Sequence, residues 1–239
     1  MKLSIVIPAF NEEKTIGTLI QKLIELDFLL NTDCEFIFVD DASSDETLKV
    51  ITSYNDSRIK IYKSNSNCGK GSAVQKGIKN ATGQYILIQD ADLEYNPSDI
   101  RWLNEVALRN PGACIYGSRV KGSKNQSGIR KYLRIWPKQS ISAWAFNQIL
   151  SIWCFVMLRV WITDNLTGYK LYPRDLFLDW NPNTNGFETD HEITCRIINN
   201  GGKILEVPIS YIPRSKSEGK KIRALDGWKA IKTFWAYRK

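Results

Sequence analysis

Residues 85–94 read Tyr85-Ile86-Leu87-Ile88-Gln89-Asp90-Ala91-Asp92-Leu93-Glu94. Four apolar residues followed almost at once by acids describe a buried strand whose carboxyl end opens into a polar loop. Two carboxylates one residue apart at a strand end make a compact, hard-oxygen, doubly negative site that suits Mg²⁺ or Mn²⁺ held against a diphosphate. A lone Asp-x-Asp arises often by chance as solvated turn residues, so its surroundings decide its meaning.

Working outward, the same unit recurs. Leu3 to Ile7 is an apolar run ended by Pro8, and Ile16, Leu19, Ile20, Leu23 and Ile24 follow at helical spacing. Asn11 is placed to cap that helix, with Glu12 and Glu13 in a first turn whose dipole favours acids. Glu35 to Val39 reads as a second strand, leading through Asp40-Asp41-Ala42-Ser43-Ser44-Asp45 to a helix carrying Leu48 and Ile51. Ile59 to Tyr62 reads as a third. Asn67-Cys68-Gly69-Lys70-Gly71 then feeds a helix through Ala73, Val74 and Ile78, closed by Gly83. This alternation predicts an α/β fold with a doubly wound, mostly parallel sheet, whose ligand crevice lies outside the carboxyl ends of the strands. The clusters after strands one, two and four converge there. Gly69-Lys70-Gly71 lacks the Gly-Lys-Ser/Thr ending of a P-loop, and Gly77 stands too far away to complete Gly-x-Gly-x-x-Gly. A P-loop ATPase and a dinucleotide dehydrogenase are therefore excluded. The glycines predict a tight loop-to-helix turn, and Lys70 carries no assigned role.

With 239 residues and 43% hydrophobic content, the chain can bury a real core as one large domain. Cysteines 34, 68, 114, 154 and 195 are odd in number, widely spaced and without a Cys-x-x-Cys pair, which argues against a disulfide framework or a zinc site and for a reducing cytosolic compartment. The N-terminus runs straight into a strand pattern, so no cleaved leader is expected. The net charge of +8 is unevenly spread: residues 119–138 and 214–239 each carry a balance of +7, and the rest of the chain is mildly acidic. Such segments face nucleic acid, an anionic bilayer or a phosphorylated substrate.

Four motifs resemble the family 2 glycosyltransferases of GT-A fold: Ser4 to Glu12, Val39-Asp40-Asp41-Ala42-Ser43-Ser44-Asp45-Glu46-Thr47, Gly69-Lys70-Gly71-Ser72-Ala73 and Asp90-Ala91-Asp92-Leu93-Glu94. Arg119 after Gly117-Ser118, Asp164-Asn165-Leu166-Thr167-Gly168-Tyr169-Lys170, and Pro208-Ile209-Ser210-Tyr211 leading to Arg214 and Glu218-Gly219-Lys220-Lys221-Ile222 resemble its polyprenyl-phosphate branch, typified by dolichol-phosphate mannose synthase. The resemblance implies a single catalytic domain over residues 1–239, with a nucleotide-sugar half at 1–118 and an acceptor-side, membrane-facing half with a basic tail at 119–239. It implies that Pro8, Phe10 and Glu12 line the nucleotide pocket, and that Asp41 with the backbone near Val39 contacts base or ribose. Phe10 keeps the ring face of the usual Tyr and loses its hydroxyl. Asp90, Ala91 and Asp92 would position the sugar diphosphate and its Mg²⁺ or Mn²⁺. Glu94 would be a third metal ligand where the mannose synthases have Gln. The donor would be GDP-mannose or a UDP-sugar.

The same resemblance implies a single inverting displacement onto a polyprenyl phosphate. That acceptor is anionic near neutral pH and needs cations more than a strong base; Arg119, Arg130, Arg134, Arg214 and Lys220 would supply them, since guanidinium clamps phosphate bidentately. Asp164 and Glu188 match polar positions around the site, and His191 reads as a helix residue. Residues 141–158 are uncharged but hold Ser142, Asn147, Gln148 and Ser151, and Trp136, Trp144, Trp153 and Trp161 punctuate the region. That pattern suits a helix lying on a membrane surface better than a span. The expectation is an enzyme peripheral to the cytoplasmic face of a membrane, where a membrane-bound partner could assist it, and no nucleic-acid partner. A family 2 enzyme acting on a saccharide acceptor would need a base carboxylate; a nucleotidyltransferase would release pyrophosphate; a basic nucleic-acid-binding module would show a recognised motif.

Overall fold

The structure, a computed structural model, describes residues 1–123, 136, 139–214 and 224–238. Arg130, Arg134 and Lys220 lie outside the described residues. Seven strands form one sheet: β1 Leu3–Ala9, β2 Cys34–Asp40, β3 Ile59–Lys63, β4 Tyr85–Ile88, β5 Cys114–Ser118, β6 Lys170–Pro173 and β7 Ile204–Pro208, in the order β3-β2-β1-β4-β6-β5-β7. All neighbours pair in parallel except β6, which is antiparallel to β4 and β5. The expected mostly parallel, doubly wound sheet is what forms.

The sheet is buried on both faces, which is why its strands read as continuous apolar runs. Leu3, Ile5, Ile7, Phe36, Phe38 and Leu87 face helices Ile16–Ile24 and Ile100–Arg109, while Val6, Ile37, Val39, Ile86 and Ile88 face helix Lys70–Asn80 and the later helices Ile141–Leu158, Thr189–Asn199 and Ala224–Ala236. Each such side chain contributes about 1.5–3 kcal/mol of burial.

The first helix departs from the sequence reading. It starts at Ile16 after Thr15, not after Asn11. Asn11 is left-handed at φ 51°, and its carboxamide oxygen accepts from the Ser44 N–H at 2.9 Å while its own N–H donates to Ser43 Oγ at 3.0 Å. Glu12 and Glu13 are drawn the same way, their N–H groups donating to Thr47 Oγ1 and Asp45 Oδ2. The loop after β1 is laced to the loop after β2, and that cross-link outweighs a local cap.

At the opposite end of the sheet, Glu35 accepts from Ser4 Oγ at 2.5 Å and the Thr82 N–H at 2.7 Å and pairs with Lys60 Nζ at 2.5 Å. Burial works to raise its pKa, but these hydrogen bonds outweigh it and bring the carboxyl down to about 2. A depressed carboxylate stabilises the fold above its unfolded pKa of about 4.3, and that stability is lost as pH falls toward 2. In thermal melts from pH 5 to pH 2, Glu35→Gln should flatten this part of the profile and cost about 1–3 kcal/mol at pH 7.

Candidate active site

The loops following β1, β2 and β4 meet at the carboxyl edge of the sheet. Each contains a non-glycine residue in the left-handed region: Asn11 at φ 51°, Ala42 at φ 60° and Leu93 at φ 60°. Among the described residues the only other is Arg159, at the end of helix Ile141–Leu158. Left-handed backbone costs an L-residue about 1–2 kcal/mol, and such conformations concentrate at functional sites.

Asp90 and Asp92 stand at the end of β4. Asp90 Oδ1 pairs with Lys70 Nζ at 2.6 Å, and Asp92 Oδ2 accepts from Arg214 Nη2 at 2.9 Å. Arg214 Nη1 reaches Glu12 Oε2 at 3.3 Å. Burial, then the neighbouring Asp90 and Glu94 charges, push the Asp92 carboxyl up to about 7 against the pull of Arg214. Opposite Asp90, a Cβ on Gly168 would fall 2.2 Å from Asp90 Oδ2, so only glycine leaves this carboxylate its place.

Glu94 is turned to other work. Its Oε2 accepts from Tyr211 Oη at 2.9 Å and its Oε1 from the Arg214 N–H at 2.8 Å. Among the described residues no group of three or more His, Cys, Asp or Glu side chains is arranged to hold a metal ion. Glu94 thus spends both carboxylate oxygens on Tyr211 and Arg214, and the left-handed turn at Leu93 precedes a carboxylate that braces the segment running to Arg214. Two hard carboxylates still fit a divalent cation by donor chemistry, since Mg²⁺ typically takes one or two carboxylates and fills its octahedron with substrate phosphate and water.

Arg119 is held apart from these acids by its own partner. Asp164 Oδ2 accepts from its N–H at 2.9 Å and its Nε at 2.8 Å, and Asp164 Oδ1 from Nη2 at 2.7 Å. Asp164 is fixed in turn by Glu206, whose Oε1 accepts from the N–H groups of Thr163 at 2.9 Å and Asp164 at 3.2 Å. The guanidinium lies 4.8 Å over the Tyr211 ring, and Trp136 Nε1 donates to the Arg119 carbonyl at 2.8 Å. Tyr211 thus touches both Arg119 and Glu94 and links the two cation sites.

At the carboxyl ends of β1 and β2, Pro8 and Val39 pair across the two strands, with Phe10 half-buried just beyond. Asp41 is buried and accepts from the N–H groups of Cys68 and Gly69, at 3.1 Å and 2.8 Å to Oδ2. Its visible work is to hold the loop that starts helix Lys70–Asn80. Gly69 takes φ 95° there, where a Cβ would fall 2.8 Å from the Asn185 carbonyl oxygen, so the expected tight turn forms. Glu188 Oε1 pairs with Lys229 Nζ at 3.6 Å. His191 packs tilted against Phe234, ring centres 5.2 Å apart and planes 58° apart, and burial drives its imidazole down to about 3, so it is a neutral packed helix residue.

The Glycosyl transferase family 2 profile matches residues 4–179. The chain belongs to that family. It is 30% identical over 194 residues to the dolichyl-phosphate beta-glucosyltransferase of Mus musculus, an alignment covering 73% of this chain and 55% of the relative. It is 26% identical to the glycosyltransferase AglD of Haloferax volcanii, over 98% of this chain and 37% of the relative. Against the undecaprenyl-phosphate 4-deoxy-4-formamido-L-arabinose transferase of Proteus mirabilis it is 33% identical over 54% of this chain and 40% of the relative. The alignments thus span from about a third to little more than half of these curated relatives. Among solved structures, glucosyl-3-phosphoglycerate synthase of Mycobacterium tuberculosis with bound UDP superposes with a TM-score of 0.71 at 18% identity, covering 99% of this chain and 79% of that one. That likeness establishes the GT-A fold.

Within this family 2 site, sequence reasoning missed Lys70 as the partner of Asp90 and Tyr211 as the bridge between Arg119 and Glu94. The one available signal was a cation among glycines at a helix start. Arg214, expected among the acceptor's cations, lies on the Asp92 and Glu12 carboxylates.

Proposed function

We propose that this glycosyltransferase moves a sugar from a nucleoside diphosphate to a polyprenyl phosphate by an inverting displacement, at the cytoplasmic face of a membrane. The observation that carries this reading is an acidic strand end whose two aspartates are each met by a cation, Lys70 and Arg214, with a third cation, Arg119, held nearby by Asp164 and joined to Glu94 through Tyr211. Asp90 and Asp92 would hold Mg²⁺ or Mn²⁺, which when bound supplies positive charge against the leaving diphosphate. Crystal structures of the Mycobacterium tuberculosis enzyme with UDP and Mn²⁺ or Mg²⁺ support that assignment. Pro8, Phe10 and Asp41 would bound the nucleotide, and Lys70 and Arg214 would donate to diphosphate oxygens. Arg119, oriented by Asp164, would clamp the acceptor phosphate, whose oxygen is already anionic and attacks without a strong base. The dolichyl- and undecaprenyl-phosphate relatives support this acceptor class.

Helix Ile141–Leu158 supports a lipid-facing surface. By length and composition it could cross a bilayer, with mean hydropathy 1.6, yet its Asn147 and Ser151 side chains turn inward. Asn147 Nδ2 donates to the Thr163 carbonyl and Asn147 Oδ1 accepts from the Asn165 N–H, while Ser151 is buried beside them. Ile141, Ile149, Ile152 and Val156 recur along the exposed face, beside Phe155 and Trp161, with Trp228 and Trp235 exposed on the packed helix Ala224–Ala236. An apolar face turned outward, with the buried polar groups hydrogen-bonded within the fold, suits contact with acyl chains. Ile152→Glu with Phe155→Glu should lower binding to anionic vesicles in a flotation assay by about tenfold or more, the loss of two burials of about 1.5–3 kcal/mol each, with nucleotide binding unchanged.

The deciding experiment supplies a short-chain polyprenyl phosphate, Mn²⁺ or Mg²⁺ and a panel of GDP- and UDP-sugars, and reads nucleoside diphosphate and lipid product together. A glycolipid from one donor is the expected result. Diphosphate release without lipid product would overturn the acceptor, and no reaction or binding with any donor would overturn the donor.

A further inference from the structure

Each aspartate of the acidic strand end is met by a cation from elsewhere in the fold. Lys70, the first residue of helix Lys70–Asn80, pairs with Asp90 at 2.6 Å, and its ammonium lies 5.6 Å from the Phe187 ring centre. Arg214, from the segment after β7, pairs with Asp92 at 2.9 Å and is shared with Glu12 at 3.3 Å and Glu94 at 3.9 Å. The side chains of Lys70, Asp90, Arg214 and Asp92 are all 15–18% exposed, so water compensates little if a pair is broken.

We propose that Lys70 and Arg214 are built-in counter-cations that couple divalent-cation binding at Asp90 and Asp92 to binding of the nucleoside diphosphate. This rests on the donor site proposed above. A divalent cation arriving alone must take Asp90 from Lys70 and Asp92 from Arg214, leaving the ammonium without its carboxylate and the guanidinium with only its longer contacts to Glu12 and Glu94. A diphosphate removes that penalty, because its oxygens accept from the displaced Lys70 and Arg214 while others ligate the cation. A diphosphate arriving alone meets four carboxylates, Glu12, Asp90, Asp92 and Glu94, set against these two cations. Each ligand therefore supplies the charge the other lacks, and linkage makes the effect reciprocal. Glu94 strengthens the device: its hydrogen bond from the Arg214 N–H ties that residue's backbone to the strand-end loop, so the guanidinium stays near after release.

Titration of the full chain with Mn²⁺, read by calorimetry and by the EPR signal of free Mn²⁺, tests this with and without UDP or GDP after correction for the nucleotide's own Mn²⁺ affinity. Nucleotide should tighten Mn²⁺ binding at least about tenfold. Lys70→Met should bind Mn²⁺ alone about tenfold more tightly than wild type and lose most of the coupling, whereas Lys70→Arg should retain it. Arg214→Met gives a second, independent variant with the same expected direction. Equal Mn²⁺ affinity with and without nucleotide in the wild type would overturn the inference and leave the donor site standing. So would folded Lys70→Met and Arg214→Met proteins that titrate like the wild type. Failure of both UDP and GDP to bind at saturating Mn²⁺ would overturn the donor reading itself.

Discussion

Asp92→Asn should lower kcat/KM for sugar transfer by about 10³-fold or more, a loss of about 4 kcal/mol of transition-state stabilisation, while leaving the fold intact. Asparagine keeps the shape and the hydrogen bond from the Glu94 N–H but removes one of two charges offered to the cation. The metal-free protein should move the other way in stability. Burial and the Asp90 and Glu94 charges hold the Asp92 carboxyl at about 7, against about 3.9 in an unfolded chain. Between those values the folded state keeps a proton that the unfolded state has lost, so stability falls as pH rises from about 4 to about 7. Asn at this position never ionises. In chelator-treated samples, thermal melts of Asp92→Asn should therefore drop less over that window, and the variant should be at least as stable as wild type at pH 8. A destabilised variant there would mean that Asp92 serves the fold through Arg214, and retained turnover would remove it from the metal site.

How much of this was legible in the sequence follows from the range of the forces involved. Tyr85–Ile88 is found where the apolar run places it, because its four apolar residues suit a strand buried on both faces and Gln89-Asp90 ends the run. Strand β6 was not legible: Lys170–Pro173 is short and begins with a lysine, and it becomes a strand only because β4 and β5 leave a slot between them. The convergence of the three polar loops was legible, since parallel strands bring their carboxyl ends to one edge. The roles within the loops were not. Asn11 has the chemistry of a cap, and only a loop 33 residues away decides that it laces instead. Glu94 carries a ligand's chemistry, but its partners Tyr211 and Arg214 lie 117 and 120 residues downstream. Lys70 pairs with an acid on another strand end, which no local spacing announces. Sequence pattern thus fixes which edge is functional, whereas charge pairing across the fold fixes which carboxylates remain available to a ligand.

Arg119→Ala should have the largest effect on stability, because it strands a carboxylate. Asp164 is 1% exposed and takes all its charge compensation from this guanidinium among the described contacts. Removing one partner of so buried a pair costs about 3–5 kcal/mol, which for a chain of this size lowers the melting temperature by roughly 6–20 °C. Transfer should fall as well, but an unstable variant cannot by itself assign Arg119 to the acceptor. The companion Arg119→Met with Asp164→Leu separates the two roles. It removes the charge pair together, a change that is often neutral or stabilising when apolar groups of similar volume fill the space. Calorimetry should show most of the melting temperature restored in the double variant, with transfer to polyprenyl phosphate still lost and UDP or GDP binding retained. Recovery of transfer along with stability would make Arg119 a structural anchor for the Asp164 and Glu206 network. Loss of nucleotide binding as well would move it from the acceptor side of the site to the donor side.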